Sequence, residues 1–570
     1  MKRIPLVVVY LVVVYVSLHE VRAAAPDVML NTLSEELHRN FEVLKAKSDP
    51  APYFISYEVT EQNFHMLGAT LGAVNASTRT RNRFLDVSVR VGSPKLDNYH
   101  RVRGERTQFT SGAQITIDDN PNAIKHRVWL ETDRTYRAAA ERLIKIATNQ
   151  QVKVADRDAS NDFSQEAPSR QIEPMKEVKF PVDQWTERTR RLSLAFAKYP
   201  AVLTSGVYVL MQEDTRYFVN TEGSRLQHGR GYARLVISAQ AKAPDGMELS
   251  DGETFEALDP GALPKDEVLL AAIDRVAGHI NGLLAAPVAE PFVGPAIFSG
   301  RASGVFFHEI FGHRIEGHRQ KDEAEGQTFT HSVGEKVLPE FLSVVMDPTR
   351  RQAAGQDLNG WYTFDDEGVP GRAVRVVDKG ILRSFLMSRS PIEGFNQSNG
   401  HGRRQPGLEV VSRQSNLLVE SSRAVSDARL REMLIEEVGK QGRPYGLYFQ
   451  DIVGGYTTTG RSGLQAFKVI PVIVYRVYAD GRPDELIRGA DIVGTPLASF
   501  GKILETSNRL EVFNGYCGAE SGNVPVSAVA PAILVSEIEI EKKDKSQDRP
   551  PLLPSPVDIT AVSSDSGVGR

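Results

Sequence analysis

Pro287, Pro291, Gly294 and Pro295 fall close together and divide the chain into two unlike parts. Proline fixes φ and removes a backbone donor, so such a cluster ends a run of regular structure. Upstream, Leu30, Leu33, Leu37, Phe41 and Leu44 recur at three- and four-residue steps and predict an amphipathic helix over 27–47. A second helix is predicted from Val128 to Gln150, around Ala138, Ala139 and Ala140, and a third from Pro264 to Ala285. Asp266 and Glu267 lie in the first turn of the third, where the helix dipole favours acids. Leu85, Val87, Val89 and Val91 alternate as in a strand, and 202–212 and 231–242 read as strands around a turn at Asn220 to Gly223. The polar stretch 155–175 carries no pattern and reads as a loop. Downstream, short strands dominate, at 373–377, 469–478 and 532–541. The expected fold class is α+β, with an N-terminal domain of helices and strands over 24–290 and a strand-rich C-terminal domain over 291–543. The tail, 544–570, has too little apolar surface to order itself.

Lys2 and Arg3 precede an apolar run from Ile4 to Leu18, and small residues follow at Ala23, Ala24 and Ala25. The run is shorter than the roughly 20 residues a bilayer span requires. It reads as a signal peptide over 1–23, cleaved after Ala23, and implies an exported chain, periplasmic or secreted. No second apolar stretch approaches membrane-spanning length, so no span is expected in the mature chain. The net charge of −4 offers no basic field for nucleic acid or an anionic membrane. Cys517 is the single cysteine, which excludes an intrachain disulfide framework. An exported thiol meets oxidants. Metal ligation would protect Cys517, but taken alone a lone cysteine is more often a buried small hydrophobe.

The segment with chemistry in it runs from Ser303 to His318 and contains His308, Glu309 and His313. Neutral imidazoles suit Zn²⁺, and a catalytic zinc site takes three protein ligands and an open position. Glu309 is the candidate general base, taking a proton from the attacking water and returning it to the leaving amine. The two histidines are five residues apart, which on a regular helix leaves the rings roughly 140° apart. A one-residue π-bulge would restore a shared face, so a widened helix near Gly312 is expected. Glu316 and His318 are alternative third ligands at short range. With Arg314, Arg319 and Lys321 around them, they read more readily as a solvated helix end.

The region from Phe298 through His308, Glu309, His313 and Glu316 resembles the active-site region of the TldD/PmbA metalloproteases. Further blocks agree in order and spacing: Phe364 to Pro370 with Asp365, Asp366, Glu367 and Gly368; Gly380 to Arg389; Gly402, Arg403 and Arg404; Ser412 to Asn416; Gly454 and Gly455; and Cys517 and Gly518, with Val524 to Val526 behind them. Together they cover residues 290–541. The resemblance implies zinc held by His308, His313 and Cys517, with Glu309 catalytic, and so reverses the reading of Cys517. It implies an α/β fold for the N-terminal domain, a peptidase that admits unfolded peptides or small proteins, and a homodimer or a heterodimer with a paralogue. Two features depart from the family: His401 stands where asparagine is frequent, and the signal peptide is unusual. Asp365, Asp366 and Glu367 could orient metal ligands, or form a turn with solvated charges. Arg403, Arg404 and Arg413 could clamp a peptide carboxylate, although loop-fixing pairs are the more common use. The competing reading is a scaffold or binding subunit braced by metal, for which Glu309 would be superfluous. Hydrolysis of a non-peptide amide by the same chemistry is a third.

Overall fold

The structure, a computed structural model, describes residues 28–102, 105, 107–150, 158–174, 178–460, 467–494, 499–543, 548–553 and 555–556. The apolar run expected to be a signal peptide lies outside the described residues, as does most of the tail after 543.

The N-terminal part is built on an eight-stranded sheet. Two long hairpins form its centre. Pro52–Thr70 pairs with Ala73–Ser93, and Thr204–Asn220 with Arg225–Lys242; Pro52–Thr70 and Thr204–Asn220 lie side by side. Leu71 and Gly72, at φ 47° and 85°, make the two-residue turn of the first hairpin, a conformation that suits its twist. Every pairing in this sheet is antiparallel except that of Arg170–Ile172 with Arg225–Lys242. The expected α/β arrangement is therefore corrected. Tight turns join neighbouring strands antiparallel, whereas α/β units need long crossovers.

Side chains alternate between the two faces of this sheet. One face carries Ile55, Tyr57, Val59, Val87 and Val89 at one end, packed under the helices Val28–Lys47 and Pro121–Gln150. At the other end it carries Leu67, Val207, Val209, Leu235 and Ile237, under Val182–Leu194 and Asp266–Ala285. The opposite face carries Glu58, Arg216, Phe218, Arg230 and Tyr232 and meets the C-terminal part, as in the Arg404–Glu58 pair at 2.6 Å and the Phe218, Leu226 and Phe364 cluster. The helix predicted from Val128 begins instead at Pro121, where the Asn120 side chain accepts from the amides of Asn122 and Ala123 at 3.0 and 3.1 Å. Asp266–Ala285 is the one described helix long and apolar enough to cross a membrane, which departs from the expectation that no second such stretch exists. Leu269, Ile273, Val276, Ile280 and Leu283 of that helix are spent on the N-terminal core.

The C-terminal part holds an eleven-stranded mixed sheet. Phe292–Phe298, Tyr445–Thr457, Phe467–Tyr478, Ala490–Gly494 and Gly522–Lys542 pair in succession, and the last pairs back onto the first, closing a circuit. Leu342–Met346 and Asn416–Ser421 extend the sheet from Gly522–Lys542. The helix Gly300–Ile310 is buried along nearly its whole length. Such a helix must be enclosed by structure on all sides. Val305, Phe306, Phe307 and Ile310 share one core with Phe298, Phe449, Val469, Ile492 and Ile533 of the surrounding strands. Each side chain of that size contributes about 1.5–3 kcal/mol on burial.

Candidate metal centre

The enclosed helix brings His308 and Glu309 to its C-terminal end. Ser299 starts it, accepting from the Ala302 amide at 3.1 Å. Arg314 stops it: the buried guanidinium donates to the carbonyls of Glu309 and Ile310 at 3.3 and 3.0 Å, two groups left without helical partners. Phe311 then turns at φ −104° and the chain tightens into a 3₁₀ turn over Gly312–Ile315. The expected π-bulge is not formed. His308 and His313 come together because the helix ends between them, with ring centroids 5.2 Å apart and planes at 82°. Gly312 serves packing rather than widening. A Cβ there would sit 1.9 Å from Gln414 Oε1, and Gln414 Nε2 donates to the His308 carbonyl at 3.3 Å.

Cys517 arrives from the strand Ile503–Ala519, paired opposite Val524 of Gly522–Lys542. Its Sγ lies 3.3 Å from His313 Nε2. One donor atom from each of His308, His313 and Cys517 falls within 4.8 Å of the others, and all three residues are buried. Two nitrogens and a sulfur with that spread suit one zinc ion with bonds of about 2.0–2.3 Å. Burial alone would raise the Cys517 thiol, but His313 and His308 beside it pull it well below its ordinary value. Burial disfavours the charged His313 ring, while Cys517 and Glu316 raise it well above its usual value. A thiolate is the form of cysteine that ligates metal.

Glu309 faces the same space, its Oε2 3.9 Å from His313 Nε2. Gly455 makes room for it: a Cβ at that position would come within 3.0 Å of Glu309 Cγ and 2.9 Å of the Lys468 carbonyl.

Glu316 and His318 are buried, not part of a solvated helix end. Glu316 Oε2 lies 3.4 Å from His313 Nδ1 and 2.8 Å from Arg319 Nε, and Oε1 lies 3.4 Å from Arg413 Nε. Glu316 thus stands behind His313, on the ring nitrogen facing away from Cys517. His318 pairs with Glu520, which also holds Arg319 at 2.8 Å. Arg413 is fully buried and donates to the Cys517 carbonyl at 2.6 Å, to Ser521 Oγ at 2.8 Å and to the Gly522 carbonyl at 2.9 Å. It ties the cysteine hairpin to Glu316.

The acidic triplet Asp365, Asp366 and Glu367 fixes loops. Asp365 accepts from the amides of Glu367, Val369 and Gly402 at 2.9–3.0 Å. Burial, with Glu367 beside it, pushes the Asp365 carboxyl up to about 8. Asp366 accepts from the Arg404 amide at 2.6 Å, and Glu367 from the Arg389 amide at 2.6 Å. The acidic triplet is a turn, but Asp365 and Asp366 are buried rather than solvated. His401 is buried between Asn399 and Ser415, and burial lowers it to about 3.

The family model described as the PmbA/TldA metallopeptidase C-terminal domain matches residues 293–542. The chain is 27% identical over 318 residues to a metalloprotease, MJ0996, of Methanocaldococcus jannaschii, covering 55% of this chain and 64% of that one. It is 24% identical over 277 residues to a zinc metalloprotease TldD homolog of Saccharolobus solfataricus, covering 48% of this chain and 56% of the other. The chain therefore spans somewhat less than two thirds of the length of these relatives. The crystal structure of TldE from Thermococcus kodakarensis shares the fold, with a TM-score of 0.58 at 14% identity over 90% of this chain and 100% of that one.

Proposed function

We propose that this chain, whose residues 293–542 match the PmbA/TldA metallopeptidase C-terminal domain, is a zinc-dependent peptidase of the PmbA/TldD family whose ligands are His308, His313 and Cys517. One observation carries the reading: the donor atoms of three buried residues, two of them 204 positions apart, meet within 4.8 Å with a carboxylate beside them. A zinc relative supports the choice of metal. Bound zinc would acidify a water and polarise the scissile carbonyl.

The chain's own residues supply the rest. Glu309 takes the proton of the attacking water and delivers it to the leaving amine. Glu316 holds His313 from the Nδ1 side, which leaves Nε2 turned toward Cys517. Arg413 fixes the Cys517 main chain. Burial of all four site residues keeps bulk water from the charges and strengthens their interactions. We propose unfolded peptides or small proteins as substrates and a homodimer or a paralogue heterodimer as the assembly, supported by the family resemblance. Export to the periplasm or beyond is proposed on the apolar N-terminal run alone.

Chelation tests the reading against a purely structural metal. Removing zinc abolishes cleavage of unstructured peptides while far-UV circular dichroism stays unchanged, and restoring zinc restores cleavage. Collapse of the secondary structure on chelation would favour the metal-braced scaffold instead.

A further inference from the structure

A cavity of about 400 Å³ lies between the polar face of the N-terminal sheet and the C-terminal part. Tyr516 and Pro525 line it and pair across the hairpin one step from Cys517 and Val524. Successive strand residues point to opposite faces, so the cavity is behind the hairpin and the metal centre in front of it.

Four guanidinium groups line this cavity, from Arg216, Arg230, Arg403 and Arg404, against the carboxylates of Asp214 and Asp366. Two of the cations are matched. Arg404 holds Glu58 at 2.6 Å and Asp86 at 3.6 Å, and Arg216 holds Glu58 at 3.1 Å together with Asp366. Asp214 accepts from the amides of Gln62 and Gln212 at 3.1 and 2.9 Å. The other two cations have no carboxylate at ion-pair distance among the described residues. Arg403 donates to the carbonyls of Gln414 and Pro525 at 2.6 and 2.8 Å, and Arg230 to the carbonyl and side chain of Asn359. Arg403 is 6% exposed, and a buried cation without a counter-ion is costly. Burial, with Arg230, Arg413 and Arg216 nearby, pushes its guanidinium down to about 10. Trp361 lines the same space at 7% exposure, and its indole N–H is buried with no acceptor among the described residues. A buried indole N–H ordinarily has one.

We propose that this cavity binds a small oxyanion, a carboxylate or phosphate group, with Arg230 and Arg403 as its charge partners and the Trp361 N–H as a further donor. Guanidinium forks match either group bidentately. The aromatic walls from Trp361, Tyr362 and Tyr516 suit an organic remainder. Two sources share this chemistry: the free C-terminal carboxylate of a peptide, and phosphate. The site is separate from the metal centre and does not depend on the peptidase reading.

The test uses the full zinc-loaded chain carrying Glu309→Gln, so that peptides are not cut. Inorganic phosphate, a short peptide with a free C-terminus and the same peptide amidated are titrated by calorimetry, with zinc content measured in parallel. Saturable binding of phosphate, or binding of the free acid about tenfold or more tighter than the amide, is expected and identifies the source. Arg230→Gln weakens that binding by about tenfold or more, and Trp361→Phe, which keeps a ring and removes the N–H, by about threefold or more. Failure of phosphate to bind together with equal binding of acid and amide overturns the proposal, as does binding indifferent to both substitutions. Absence of zinc with anion binding intact would overturn the metal reading alone.

Discussion

Replacing Glu309 by glutamine lowers peptide cleavage by about 10²–10⁴-fold, the usual contribution of a positioned general base. Zinc content and thermal stability stay at wild-type levels. Glutamine has the shape of glutamate, so the close packing against Gly455 survives. What disappears is the ability to take a proton 3.9 Å from His313 Nε2, at the mouth of the ligand set. Steady-state kinetics on an unstructured peptide, with metal analysis of the same sample, checks this. Equal rates for variant and parent would remove Glu309 from the chemistry and leave the metal as a brace.

Glu316→Gln is expected to act on both stability and metal binding. The carboxylate is wholly buried among Arg319, Arg413 and His313, and Arg413 has no other ion-pair partner among the described residues. Removing one member of a buried charge set costs about 3–5 kcal/mol. Loosening the support behind a ligating histidine lowers zinc affinity by about 10–100-fold. The stability effect carries a pH signature. Burial alone would raise the Glu316 carboxyl, but Arg319, His313 and Arg413 bring it from 4.5 down to about 2. A depressed folded-state pKa stabilises above the unfolded value and loses that contribution as pH falls through the folded one. In urea unfolding of the metal-free proteins, the gap between wild type and Glu316→Gln is therefore full above about pH 4.5 and narrows toward pH 2. A gap independent of pH would show that the loss is steric rather than ionic.

Much of the candidate centre could be named before the fold. His308, Glu309 and His313 were visible from their chemistry, and the order of the downstream blocks pointed to Cys517. The structure shows what those blocks do: Gly455 clears space for Glu309, Gln414 holds the His308 carbonyl against Gly312, and Arg413 anchors the Cys517 main chain. None of this is local, because each contact joins residues far apart in sequence, and no periodicity encodes it. Glu316 was hidden for a related reason. Its neighbours Arg314 and Arg319 suggest a solvated helix end, yet both are buried, Arg314 on helix carbonyls and Arg319 on Glu316, Glu325 and Glu520.

The π-bulge failed on an assumption of continuity. Spacing shows only that an unbroken α-helix cannot present both rings; it does not distinguish widening from termination. Arg314, four residues beyond Ile310, was the available sign, since a cation placed there can take the last carbonyls. The α/β expectation for the N-terminal domain came from the family resemblance, not from its strand order. The tight turns at Leu71 and Gly72 and at Thr221 and Glu222 decide the matter instead, since strands so joined lie antiparallel. Helices Val182–Leu194 and Asp427–Lys440 were not anticipated, although Ser426 caps the second, accepting from the Arg429 amide at 3.2 Å.

The central claim is that one zinc ion is held by two imidazoles and one thiolate. X-ray absorption at the zinc edge of the purified protein tests it most directly. The account predicts a single sulfur at about 2.3 Å with nitrogen or oxygen neighbours at about 2.0–2.1 Å, the sulfur vanishing in Cys517→Ala. A zinc environment with no sulfur in the wild type, or a sulfur that persists in Cys517→Ala, would contradict it.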